Sequence, residues 1–218
     1  MLRRSNFKSH PPAEADDARQ IPPFDGSINA RKSELAQVPI GAYPDSAMER
    51  KKSDFEAALD NQPLEWSWVE RKLITSSSYW LVTTKPNAGG PHTRPVWGVY
   101  YDGTIWFSTG RSSIKGQNLA VDPRCVIHVE SADDVVIIDG VAELVAPWED
   151  VFAGDHSRAV LRRYMQKYVM TESELSPQGE LSDAALYRVW PKVVNAWLEG
   201  AYPTTQSRWR MELPDLGR

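Results

Sequence analysis

The chain has a single cysteine, Cys125, so no internal disulfide can staple it, and a reducing cytoplasm is the expected compartment. No run approaches the ~20 apolar residues of a membrane helix. Arg3-Arg4 lacks the apolar stretch a twin-arginine export signal needs. Neither sign of charge dominates: 25 Lys and Arg stand against 29 Asp and Glu, for a net charge of -4, and the basic residues are scattered. Nucleic acid and membrane are therefore not expected partners. The four histidines, His10, His92, His128 and His156, are far apart and form no metal-ligand spacing, so no metal site is expected. A G-x-G-x-x-G turn after a strand, a P-loop and a nucleophile elbow are all missing, which excludes the corresponding nucleotide and serine-hydrolase sites. No side chain stands out as a general acid, base or nucleophile.

What is present points to one β-rich body behind an arm. Residues 1–62 hold no tryptophan, whereas all nine tryptophans fall from Trp66 onward, and the arm's prolines and mixed charges leave it little to bury. Residues 1–62 are expected to be a partly disordered arm or to drape over the body or a partner subunit, with one helix between Ser46 and Leu59. The body, 63–218, opens with a short amphipathic helix around Leu64, Trp68 and Leu73. Strands are expected at Tyr79–Thr84, Thr93–Tyr101, from Ile105, Arg124–Glu130, Asp134–Val145, Leu186–Leu198 and Ser207–Leu213. Asp102-Gly103 reads as a hairpin turn and Asp139-Gly140 as a bulge. Helices are expected at Pro147–Gly154 and Ser157–Tyr168, the second carrying a basic face of Arg158, Arg162, Arg163 and Lys167. The strands form an antiparallel meander closing toward a barrel.

The stretch with the most chemistry is IWFSTGRSSIKGQN, Ile105–Asn118. A strand ends in Ser108, Thr109 and Gly110, and a helix follows from about Ser113 until Asp122-Pro123 stops it. The first-turn amides of a helix lack intrahelical acceptors and lie at the positive end of its dipole, so they suit an anion. Ser112, Ser113 and Lys115 would add hydroxyl donors and a charge there. Two readings stand at this point: a phosphate-binding turn, or a serine that only caps the helix beside a solvated lysine.

The succession YWLVTT, a glycine turn, PHTRPVWGVYYDGTIWFSTG, SSIKGQNLAVDPR and DDVVIIDGVAEL, with NAWLEG and SRWR near the C-terminus, resembles the pyridoxamine 5'-phosphate oxidase-like family of flavin and deazaflavin proteins. The resemblance implies a mainly β fold, a six-stranded antiparallel split β-barrel, built as a homodimer with a cofactor in each of two sites between the subunits. It implies that Arg94 and Lys115 bind the cofactor phosphate beside Ser113, Ser108, Thr109, Gly110 and Asn118. Pro95, Val96 and Trp97 would run along the ring edge, and Trp197 and Arg208 would complete the site. Where pyridoxine phosphate oxidases carry an Arg-Lys pair, this chain has Ile114-Lys115, one phosphate-binding charge fewer.

The implied cofactor is FMN, with F420 as the alternative and haem as a lesser one. The implied activity is hydride transfer to or from a small conjugated substrate. Two readings of other classes stand beside it: a protein that binds FMN, F420 or haem without turnover, and a dimeric scaffold whose arm holds another protein.

Overall fold

The computed structural model describes residues 48–50, 62–86, 89–175 and 183–216. The described body is nine strands and three α-helices: β1 (Met48–Arg50), α1 (Trp66–Thr75), β2 (Tyr79–Thr84), β3 (Pro91–Val96), β4 (Gly98–Tyr101), β5 (Thr104–Gly110), α2 (Ile114–Val121), β6 (Arg124–Val129), β7 (Asp134–Pro147), α3 (Asp155–Tyr168), β8 (Ala184–Leu198) and β9 (Ser207–Met211). None of the described helices is long and apolar enough to cross a membrane. Within the span expected to be an arm helix, Met48–Arg50 instead pairs with β9; the rest of that span lies outside the described residues.

All strand pairs are antiparallel, in the order β1-β9-β8-β7-β6-β2-β3, with β5 and then β4 branching from β8. The closed six-stranded split barrel is therefore not formed. The fold is a mixed α/β arrangement on an open nine-stranded sheet. The physical reason lies at Trp97 and Gly98, where the expected single strand Thr93–Tyr101 breaks into β3 and β4. The free backbone groups of Gly98 are taken by α3. Its N–H donates to the Tyr168 hydroxyl at 2.8 Å, and its C=O accepts from Lys167 Nζ at 2.7 Å and from the Tyr168 hydroxyl at 2.9 Å. A helix end thus covers the edge that a closing ladder would use.

Several local readings hold at the backbone level. Asp102 (φ 50°) and Gly103 (φ 69°) are both left-handed, as a two-residue hairpin turn between β4 and β5 requires. The β7–β8 ladder shifts register at Asp139/Gly140, and a Cβ on Gly140 would lie 2.8 Å from the Trp190 carbonyl, so the bulge there needs glycine. The expected helix Pro147–Gly154 is only a 3-10 turn, Trp148–Asp150. The alternation of the strands sends Tyr79, Leu81, Ile105, Phe107, Ile127, Ile138 and Val189 into one core, against Val69 and Leu73 of α1. A second core, around Trp106, Trp148, Val160 and Leu161, lies beneath α3.

Candidate functional site

The strand-to-helix turn from β5 into α2 is built by local hydrogen bonds. Ser113 is the N-cap: its hydroxyl accepts from Gly116 N at 3.1 Å, donates to Gly110 O at 2.7 Å, and lies 3.2 Å from Thr109 Oγ1. Gly116 lets the helix press on the turn, since a Cβ there would come within 2.6 Å of the Arg111 carbonyl. Asn118 is buried, and its amide donates to Thr83 Oγ1 of β2 at 2.9 Å. It thereby fixes α2 to the sheet. The capping role of Ser113 and the anion reading of the turn coexist, because the cap occupies the amide of Gly116 and leaves those of Ile114 and Lys115 with no acceptor among the described residues.

A carboxylate the sequence reasoning passed over already sits beside this turn. Asp183 accepts from Ser112 N at 2.7 Å and from Ser112 Oγ at 2.5 Å, with Arg111 Nε 3.7 Å from its other oxygen. The Ser112 hydroxyl and amide, and then Arg111, hold the Asp183 carboxyl below the usual range. Ser112 is thus occupied, and the donors of the turn without an acceptor among the described residues are the Ile114 and Lys115 amides. Nothing local flagged Asp183, which lies 71 positions from Ser112.

Lys115 is half-buried on α2, and burial, then the charge of Arg94, lowers its pKa. Arg94 is exposed on β3, its guanidinium donating to its own strand at Thr93 O, 2.8 Å. Two residues before Arg94 on β3 is His92, which the sequence offers only as one of four scattered histidines. Burial, followed by the charges of Arg94, Lys85 and Lys115, lowers its pKa. Among the described residues no carboxylate pairs with Lys85, Arg94 or Lys115. Arg94 and Lys115 act on each other, and together with Lys85 they give His92 a local positive field; of Pro91–Val96 only His92 and Val96 are buried, and no pattern of residue types in the sequence marks His92 out.

The other named residues are spread more widely. Pro95 is exposed opposite Trp80, and Val96 is buried opposite Tyr79. Trp97 is 55% exposed and stacks on Tyr168, with ring centroids 4.8 Å apart and planes 8° from parallel. Ser108 is half-buried and Thr109 buried at the end of β5. Trp197 lies opposite Val135 on β8, donating its indole N–H to Glu199 at 2.9 Å, and Arg208 is exposed on β9 opposite Asn195. Along the sheet, β7, β6 and β2 separate these two residues from β3.

The basic face of α3 does not gather into one groove. Arg158 pairs with Asp155, Arg163 lies over the Tyr101 ring at 4.6 Å, and Lys167 lies over Tyr79 at 4.5 Å. Arg162 borders an open hollow of about 460 Å³ with Met165, Gln166, Val169, Met170 and Thr171. Cys125 is buried with its thiol pushed up to about 12, first by burial and then by Asp122, which makes it inert as a nucleophile. His128 is half-buried on β6, its Nδ1 2.8 Å from the Val129 carbonyl.

One solved structure aligns over 69% of this chain and 96% of its own, at 17% identity and a TM-score of 0.51, and shares the fold. A heme-binding protein from Mycobacterium smegmatis aligns at 20% identity over 61% of this chain and 52% of its own, with a TM-score of 0.46. A structure described as an F420 reductase aligns at 17% identity over 66% and 98%, with a TM-score of 0.42. These last two are too distant in backbone to carry an argument about function. No curated protein matches the sequence. A family model described as pyridoxamine 5'-phosphate oxidase matches residues 69–197, more than half of the chain, from within α1 through Trp197, and the chain belongs to that family.

Proposed function

We propose that the chain binds a phosphate-bearing flavin, FMN, at the start of α2 and acts as an oxidoreductase on a small conjugated substrate. The observation that carries this reading is the pair of cations, Arg94 and Lys115, with no carboxylate partner among the described residues, together with the Ile114 and Lys115 amides, which have no acceptor among them. Positive charge beside N–H donors at a helix start suits a phosphate better than a neutral ligand. When bound, the flavin supplies the hydride chemistry; the protein supplies position and electrostatics. Lys115 and Arg94 would neutralise the phosphate while the Ile114 and Lys115 amides orient it. Trp97, backed by Tyr168, would offer an apolar wall that excludes water from the ring.

F420 is the second reading, since its phosphate suits the same amides and its acidic tail would need further cations such as Arg162, which is exposed on α3. We further propose a homodimer, in which Trp197 and Arg208 of one subunit serve the site of the other, and a cytoplasmic location. Titration of the purified protein with FMN, F420 and haemin, followed by absorbance, tests the assignment. FMN should saturate at one per subunit, and the Arg94→Ala, Lys115→Ala double variant should bind at least about a hundredfold more weakly, two charge-assisted contacts being lost. Unchanged affinity in that variant would sink the site. Turnover with a reduced nicotinamide and an electron acceptor separates an enzyme from a binding protein.

A further inference from the structure

His92 has hydrogen-bonding capacity that no described residue uses. Its side chain is 7% exposed, and among the described residues neither Nδ1 nor Nε2 has a partner. A buried polar group left this way costs about 1–3 kcal/mol, so a fold that retains one without a structural use invites the question of what completes it. In the β2–β3 register His92 faces Thr83, whose hydroxyl accepts the Asn118 amide at 2.9 Å. Asn118 follows Lys115 by one helical turn, so the two share the face of α2 turned toward the sheet. The charged groups acting on His92 are all cations: Arg94 from its own strand, Lys85 from the end of β2, and Lys115 from α2. Without a ligand these charges and burial keep the imidazole neutral, as a fourth positive charge there would be repelled.

We propose that His92 is a further ligand of the anion site, taking a proton from solvent when a phosphate monoester docks against Lys115 and Arg94, so that binding and protonation are coupled. This rests on the anion site described above and adds to it a residue and a pH dependence. No covalent bond changes: the imidazole gains one proton, becomes imidazolium, and donates an N–H to a phosphate oxygen. The phosphate reverses the local field, which raises the histidine's pKa in the complex above its value in the free protein. The sign follows directly. Affinity strengthens as pH falls through the window between the bound and free values, by about tenfold for each pH unit inside it.

Two measurements on the full chain test this. The first follows the His92 ring by NMR across pH, assigned through backbone connectivity, with and without inorganic phosphate. The expected result is an upward shift of its titration on adding phosphate; an unmoved titration overturns the proposal, and this reading needs no variant to fold. The second compares FMN affinity of the wild type and His92→Gln at pH 8 and pH 6. The wild-type advantage should grow about tenfold between the two, comparison with the variant cancelling the phosphate's own titration. FMN binding with identical pH profiles in both proteins overturns the role of His92 and leaves the cofactor reading intact. A phosphate-induced shift in a protein that binds none of FMN, F420 or haemin supports His92 and sinks the cofactor reading.

Discussion

At the scale of single residues, the body holds another titratable group whose environment shifts it. Glu70 of α1 is 5% exposed, and the Tyr100 hydroxyl donates to its carboxylate at 3.0 Å. Burial raises its pKa more than the hydrogen bond from Tyr100 lowers it. The folded state therefore holds the proton more tightly than the unfolded chain does. The contribution of Glu70 is most favourable at or below its unfolded value and falls as pH rises through the folded one, since the charge must then stay buried. Glu70→Gln keeps an acceptor for Tyr100 without the charge. Its melting temperature at pH 8 should exceed the wild type's by a few degrees, and the gap should close toward pH 4, read by thermal unfolding at both pH values. A gap that widens on acidification would show that the carboxylate is stabilising.

At the scale of elements, α3 closes in an unusual way. Val169, just past its end, has φ 56° and ψ 46°, and the Met170 N–H turns back to Met165 O at 3.0 Å. A β-branched residue in the left-handed region costs about 1–2 kcal/mol, and this position favours glycine. Val169 is 57% exposed, so its removal loses little packing. Val169→Gly should stabilise the protein by about 1 kcal/mol, seen as a higher urea midpoint at unchanged slope. The same helix shows what the sequence did and did not reveal. The Ser113 cap, the Asp102-Gly103 turn and the Asp139-Gly140 irregularity were legible because each is decided by neighbours in the chain. The break at Trp97 was not, because it depends on Lys167 and Tyr168, some 70 residues away, taking the backbone of Gly98. That long-range contact at Gly98 is of a kind alternation of residue types cannot encode. For the candidate site the division is the same: Lys115 and Arg94 announce themselves by charge. His92 acquires meaning only once β2, β3 and α2 are assembled, and Asp183 only once the start of β8 meets the turn before α2.

At the scale of the whole molecule, the unresolved tension is between the anion turn and the C-terminal residues that the family resemblance attaches to it. Trp197 on β8 and Arg94 on β3 are separated by four strand spacings, roughly 19 Å along the sheet, too far for both to touch one small cofactor from that sheet face. If both serve one site, Trp197 must come from a second copy. The exposed Trp97, the exposed Ile114 and Val121 at the two ends of α2, and Tyr202 beside Trp197, give such a copy apolar surface to cover. The idea makes a prediction that no single-chain site can match. Lys115→Ala and Trp197→Ala proteins should each bind FMN poorly. When the two are unfolded together and refolded at equal amounts, each mixed dimer has one site carrying both defects and one carrying neither. About a quarter of all sites should then regain wild-type affinity, as random pairing in a two-fold dimer demands. Recovery would require a site shared between subunits, and a mass near twice 24.6 kDa should accompany it in light scattering. Absence of recovery, with both variants folded and dimeric, would confine the site to one chain around α2 and leave Trp197 a packing residue held by Glu199 and Tyr202.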